Sequence, residues 1–455
     1  MGREVARLLP GGGRIETGFD PLGRVARRRG LDRTAGEPTP TGQPDWLGVR
    51  GRSVTVDTSY RYSPDGELVE ALDQARGRTE YRYDPVGQLL AMLPEQARAE
   101  LFRFDPRGNL HETDPGAPAR VYGKGNRLLQ KGNTAYQWDD DGRLVEKRIK
   151  KDSADDEVWR YRWDGAGLLH EVERPDRMLV RFAYDPFARR VEKTLLEPVS
   201  GARYRAKSHT RFVWDGDVLA HETKIAAQAG GNPVVAERTY RYEDDPFEPV
   251  AHQEDGRWVH YVNDQIGTPE RLLESGGDVA CELRRSAWGQ TEVLPGDKAS
   301  TPMRFQGQYG DEETGLSYNR WRYFEADAGR FVSADPIGLL GGAHGFAYAP
   351  NALAWIDPWG LAKKRNCELS PEEKARVKAE VKATKDRLRQ EIMDDQNLSK
   401  AGRSGTAVGA QLDTRLGAAL GREGNRVKTS DPALSDALKK EGERTRTTGK
   451  SNKHK

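Results

Sequence analysis

Side chains able to do chemistry gather between Arg304 and Leu361, where the chain reads RFQGQYGDEETGLSYNRWRYFEADAGRFVSADPIGLLGGAHGFAYAPNALAWIDPWGL. A Ser/His/Asp arrangement is missing from this stretch, whose only histidine is His344. Its two Asp-Pro steps, Asp335-Pro336 and Asp357-Pro358, offer another chemistry. Two aspartates held close together cannot both ionise, so one keeps a proton and serves as acid while the other serves as base. Such a pair can cut a peptide bond. The competing interpretation is structural: an Asp before Pro caps backbone N–H groups in a tight turn. Residue types alone leave both open.

The elements that would position these residues come earlier in the chain. Six segments share one register: Tyr62-Ser-Pro-Asp-Gly66, Tyr83-Asp-Pro-Val-Gly87, Phe104-Asp-Pro-Arg-Gly108, Trp138-Asp-Asp-Asp-Gly142, Trp163-Asp-Gly-Ala-Gly167 and Tyr184-Asp-Pro-Phe-Ala188. Gly66, Gly87 and Gly108 fall 21 residues apart, which marks a repeated supersecondary unit. Before one such step, Thr79, Tyr81 and Tyr83 alternate with Glu80 and Arg82, the pattern of a half-buried strand. Asp-Pro-X-Gly then reverses the chain, with Pro pre-setting one φ and Gly permitting another. A lone hairpin buries too little to be stable, so the units must stack into a continuous sheet. The aromatic stripe is read as wall packing. The expected fold is mainly β, a stacked-hairpin repeat sheet followed by a small, mainly α domain at the C-terminus.

Bulk composition agrees with a thin shell. The chain has 455 residues, 36% hydrophobic and 32% charged, a polar balance for its size. Cys281 and Cys367 are too few for a disulfide framework and lack metal-ligand spacing, which suits a reducing cytoplasm at synthesis. No apolar run is long enough for a signal peptide or a membrane span. Charge is divided unequally. From Lys363 onward there are 23 Lys and Arg against 14 Asp and Glu, while the rest carries 50 against 57. An acidic container holding a basic cargo has this asymmetry, as does a tail that binds polyanions.

The motifs GQYxDxETGLxYNRxRY, GRFxxxDPIGLxGG and DPxGL, matched almost letter for letter from Gln306 to Leu361, resemble the core of bacterial Rhs/YD-repeat polymorphic toxins. The upstream units resemble YD repeats. The stretch around Tyr261, Asp264, Gly267, Pro269 and Trp288-Gly289 resembles the short module before that core. The resemblance implies YD repeats over 1–255, the short module over 256–295, the core with a self-cleaving site over 300–361 and a variable basic toxin over 362–455. It implies a cocoon-like shell, with Asp335 and Asp357 as catalytic aspartates, Arg322 as their arginine and cleavage between Leu361 and Ala362. The partners it implies are a cognate immunity protein and a type VI secretion spike or similar delivery component, with secretion into a target cell without a cleaved leader. Family shells are longer than this one. The alternatives are a non-catalytic structural or adhesive repeat protein and a displaced Rhs tip with an inactive tail.

In the tail, Ser370-Pro-Glu-Glu373 forms a capping box, and Val377, Val381, Leu388 and Ile392 follow at helical spacing, which predicts a helix over 371–396. With His454 as its only histidine and no Cys pair beside a His-x-Glu, the tail does not fit an HNH-type nuclease or a zinc deaminase. No metal site or cofactor is expected. The basic end, with Arg444, Arg446, Lys450, Lys453 and Lys455, is the candidate contact for nucleic-acid phosphate. A nuclease, another toxic activity such as a transferase or NAD-consuming enzyme, and an inactive tail stay open.

Overall fold

A computed structural model describes residues 4–361, apart from 34–52, 153, 201–202, 229, 243–246 and 295–297, together with 364–365 and 387. Apart from Arg387, which is helical, the expected tail helix and the basic end lie outside the described residues. One compact unit runs from Met1 to Cys367. Its strands form two antiparallel meanders in simple chain order, a nine-stranded sheet from Ala6–Leu8 to Leu110–Glu112 and a sixteen-stranded sheet from Arg120–Tyr122 to Thr291–Val293. The short module continues the second sheet as strands Arg257–Asn263, Pro269–Glu274 and Val279–Arg285.

Five wall turns are built the same way. The Asp84 carbonyl accepts from the Gly87 amide at 3.0 Å, and its Oδ1 accepts from the amides of Val86 at 2.9 Å and Gln88 at 2.8 Å. Gly87 sits at φ +80°, a conformation glycine adopts without steric cost. Asp20, Asp105, Asp164 and Asp185 repeat these bonds. In the Asp185 turn, Ala188 takes the glycine position at φ +57°.

The repeat aromatic ties one unit to the one before. Tyr83 Oη donates to the Leu68 carbonyl at 2.7 Å, Tyr184 Oη to Leu169 at 2.6 Å, Trp138 Nε1 to Leu128 at 2.7 Å and Trp163 Nε1 to Leu144 at 2.8 Å. Each ring thus buries an apolar body while its polar tip is satisfied, as wall packing requires. Strand pairing shifts register at each of these aromatics, a bulge that turns the chain at the sheet rim.

A four-stranded sheet, Tyr309–Gly310, Leu316–Asn319, Arg322–Glu325 and Arg330–Phe331, packs between the walls. Phe305, Phe324 and Phe331 join Leu89, Phe102 and Leu110 of the first sheet in one cluster. Tyr318 and Tyr323 join Tyr161, Val172 and Phe182 of the second sheet in another. Buried charge pins these layers. Arg190 pairs with Asp311 and lies 4.7–5.3 Å from the ring centres of Phe182, Phe212, Tyr309 and Tyr318, while Lys193 reaches Asp311 at 2.9 Å. Arg271 forks onto Asp73 at 2.7 and 2.8 Å, tying the last strands of the second sheet to the first. Breaking one partner of such a pair strands a buried charge.

Candidate active site

Arg322 opens its strand with the side chain 98% buried and directed at the two Asp-Pro turns of the core. Its Nη2 lies 3.0 Å from Asp335 Oδ2 and 3.1 Å from Asp357 Oδ2, so one nitrogen bridges both carboxyl groups. Nη1 donates to the Gly345 carbonyl at 3.0 Å and Nε to the Gly360 carbonyl. The guanidinium lies 3.6 Å from the centre of the Phe331 ring. Burial pushes Arg322 below the ordinary arginine value, against the pull of Asp335 and Asp357.

Both aspartates sit in turns made like those of the wall. The Asp335 carbonyl accepts from Gly338 at 2.9 Å and its Oδ1 from Ile337 at 3.1 Å. The Asp357 carbonyl accepts from Gly360 at 3.2 Å and its Oδ1 from Leu361 at 3.0 Å. Asn319, fully buried, donates from Nδ2 to the Asp357 carbonyl at 2.7 Å and so fixes the last turn. On the far side of residue 361, Lys364–Arg365 pairs antiparallel with Trp355–Ile356, so the backbone is held before and after the Leu361-Ala362 bond.

Gly341 reveals how close the parts come. An ideal Cβ built there would lie 2.1 Å from Asp335 Oδ2 and 2.5 Å from the Leu361 carbonyl oxygen. The carboxyl and the peptide carbonyl oxygen therefore meet beside Gly341, where no Cβ fits. Of the residues singled out from sequence, Asp335, Asp357, Arg322 and Leu361 come together. Ala362, Arg444, Arg446, Lys450, Lys453 and Lys455 lie outside the described residues. His344 is bound elsewhere: Nε2 sits 3.0 Å from Asn109 Oδ1 of a wall turn.

Asn319 and Gly341 were not singled out. Both stand inside the quoted motifs, in YNRxRY and GLxGG, yet neither carries a titrating group that would mark it. Among the described residues, no group of three or more His, Cys, Asp and Glu could hold a metal ion, and no helix is long and apolar enough to cross a membrane.

The Teneurin YD-shell family matches residues 58–200. A double-stranded DNA deaminase toxin A of Burkholderia cenocepacia (strain H111) is 35% identical over 389 residues, which cover 79% of this chain and 25% of that protein. A probable deoxyribonuclease RhsA of Dickeya dadantii (strain 3937) is 34% identical over 243 residues, 52% of this chain and 16% of the relative. The chain thus spans a quarter or less of the length of these relatives. The crystal structure of TcdB2-TccC3-TEV is similar to 79% of this chain and to 21% of its own, at 16% identity and a TM-score of 0.41. With its Asp-Gly turns, stitched aromatics and inner four-stranded core, the chain belongs to the Rhs/YD-repeat family of polymorphic toxins.

Proposed function

We propose that the chain is an Rhs effector whose shell cuts itself between Leu361 and Ala362 and so frees residues 362–455 as a toxin used in competition between bacteria. The observation that carries this is the placement of Leu361, whose amide is bonded to Asp357 and whose carbonyl oxygen meets the Asp335 carboxyl beside Gly341. The scissile bond is a neighbouring turn of the same chain, so orientation is supplied by folding. The cluster holds one guanidinium and two carboxyl groups, and a proton on one carboxyl balances the buried charge.

In this reaction Asp335 carries that proton toward the Leu361 carbonyl oxygen. Asp357, facing Arg322 and the Leu361 amide, takes a proton from an attacking water. The hydroxyl adds to the carbonyl carbon; as the C–N bond breaks, Asp357 passes the proton taken from water to the leaving nitrogen of Ala362, and Asp335 takes back the proton lent to the carbonyl oxygen. The products are a carboxyl-terminated Leu361 and a free amine at Ala362. Arg322 holds both carboxyl groups in register; four of its N–H contacts are already committed, which favours positioning over oxyanion binding.

The tail's +9 balance of charged side chains supports nucleic acid as its target, as do the relatives named for DNA chemistry. A neighbouring immunity protein and a type VI or similar delivery machine complete the proposal.

The test is a denaturing gel of the 455-residue chain. Wild type yields fragments of 361 and 94 residues, while Asp335→Asn and Asp357→Asn stay whole. One feature favours a second, non-catalytic role: both Oδ1 atoms cap turns as in the wall. A wild-type chain that stays whole would select it. Expression of residues 362–455 alone, with and without the adjacent gene, tests the toxin. Growth arrest relieved by the neighbour supports toxin and immunity; normal growth supports an inactive tail.

A further inference from the structure

We propose that Gly341 is a positioning residue for the self-cleavage step, resting on the aspartyl reading above: its missing side chain lets the Asp335 carboxyl and the Leu361 carbonyl meet. Most glycines among the described residues serve their backbone. Gly338 at φ +58°, Gly342 at φ +123° and Gly360 at φ +65° occupy conformations that L side chains rarely adopt. Gly341 is different. It falls within the described residues but outside the set with positive φ, so its backbone suits an ordinary residue.

What forbids a side chain at 341 is space. The added Cβ would press on Asp335 Oδ2 at 2.1 Å, on Asp335 Cγ at 2.7 Å and on the Leu361 oxygen at 2.5 Å. None of these atoms can yield freely. Asp335 is tethered through Oδ1 to the Ile337 amide and through Oδ2 to Arg322, and Leu361 is tethered through its amide to Asp357. A methyl group would therefore separate the carboxyl from the carbonyl or break one of these bonds.

The turn itself has nothing else to lose. Gly338–Gly341 is a single 3-10 turn without buried residues, and Leu339 and Leu340 are 85% and 87% exposed. A change at 341 thus acts on the reacting groups and little on the core.

The experiment measures the first-order rate of self-cleavage in full-length Gly341→Ala, Gly341→Val and Leu340→Ala, beside wild type and Asp335→Asn. The expected result is a fall of about a hundredfold in Gly341→Ala, the scale of a misplacement near 1 Å. Gly341→Val is slower again, Leu340→Ala cuts as wild type, and every variant keeps the β-rich circular dichroism spectrum of the wild type. The pH of half-maximal rate also moves in Gly341→Ala, because Asp335, which faces Arg322 and Asp357, loses its carbonyl neighbour. A merely structural role would leave that pH unchanged. If Gly341→Ala cuts at the wild-type rate while Asp335→Asn stays whole, this inference fails and the aspartyl reading stands. If Asp335→Asn also cuts normally, the aspartyl reading itself fails.

Discussion

The same Asp-centred turn appears in the wall and in the core, with opposite surroundings for its spare oxygen. In the wall, Asp185 caps its turn through Oδ1 and turns Oδ2 to Arg189 four residues on, a partly buried pair at the sheet rim, its side chains 18% and 26% exposed. In the core, Asp335 and Asp357 cap their turns through Oδ1 and send Oδ2 inward to the single buried nitrogen of Arg322. Local geometry is preserved while solvent is exchanged for a shared cation and a peptide bond. A structural motif thereby becomes a candidate catalytic one without a change of backbone. Energetics should separate the two regions, since exposed ion pairs contribute about 0–1 kcal/mol and buried ones cost several when broken.

Arg322→Met should have the largest effect. It leaves two buried carboxyl groups without a cation, so a loss of about 3–5 kcal/mol is expected in chemical unfolding, together with an uncut chain. A loss below about 1 kcal/mol would show that the core turns resemble the wall turns after all.

Acid should weaken the joint between the walls in two steps. Burial, aided by the charge of Arg7, pushes His260 down to about 4 from an ordinary value of 6.5. The unfolded chain therefore binds that proton first, and stability falls as pH drops from 6.5 toward 4. Burial alone would raise Asp73, but its bond to Arg271 prevails and holds it at about 2, against 3.8 ordinarily. Its contribution is complete above 3.8 and is lost as pH falls toward 2. Melting curves of wild type and His260→Gln across this range should differ in the upper step alone; identical curves would remove His260 from the account.

Asp84→Ala probes the wall side of the comparison. It deletes two side-chain caps in an exposed turn, so a loss of about 1 kcal/mol with unimpaired self-cleavage is expected. Abolished cleavage would mean that wall turns position the site directly. The smallest effect belongs to Arg177, exposed in a turn at φ +65°. Arg177→Gly should raise stability by about 0.5–1 kcal/mol, read as a higher melting temperature.

Much of this was legible in the order of residues. Alternation before Tyr83 and the Asp-Pro-X-Gly step lie within a few residues, and their physics is local, so strands and turns could be placed directly. The meeting of Asp335 and Asp357 came from motif resemblance, since 22 residues part them and only the fold closes that gap. The clamp between Arg190 and Asp311 spans 121 residues, and nothing near either one announces the other. Asn319 and Gly341 escaped for a different reason. One works through a neutral amide, the other through the absence of a side chain, and neither property has a compositional signal.

Intact-mass spectrometry of the purified full-length chain, wild type beside Asp335→Asn, tests the central claim most directly. Two wild-type masses that meet between Leu361 and Ala362, with one undivided mass for the variant, are the predicted result. A wild-type chain of undivided mass near 50.9 kDa, or a cut that persists in the variant, would contradict it.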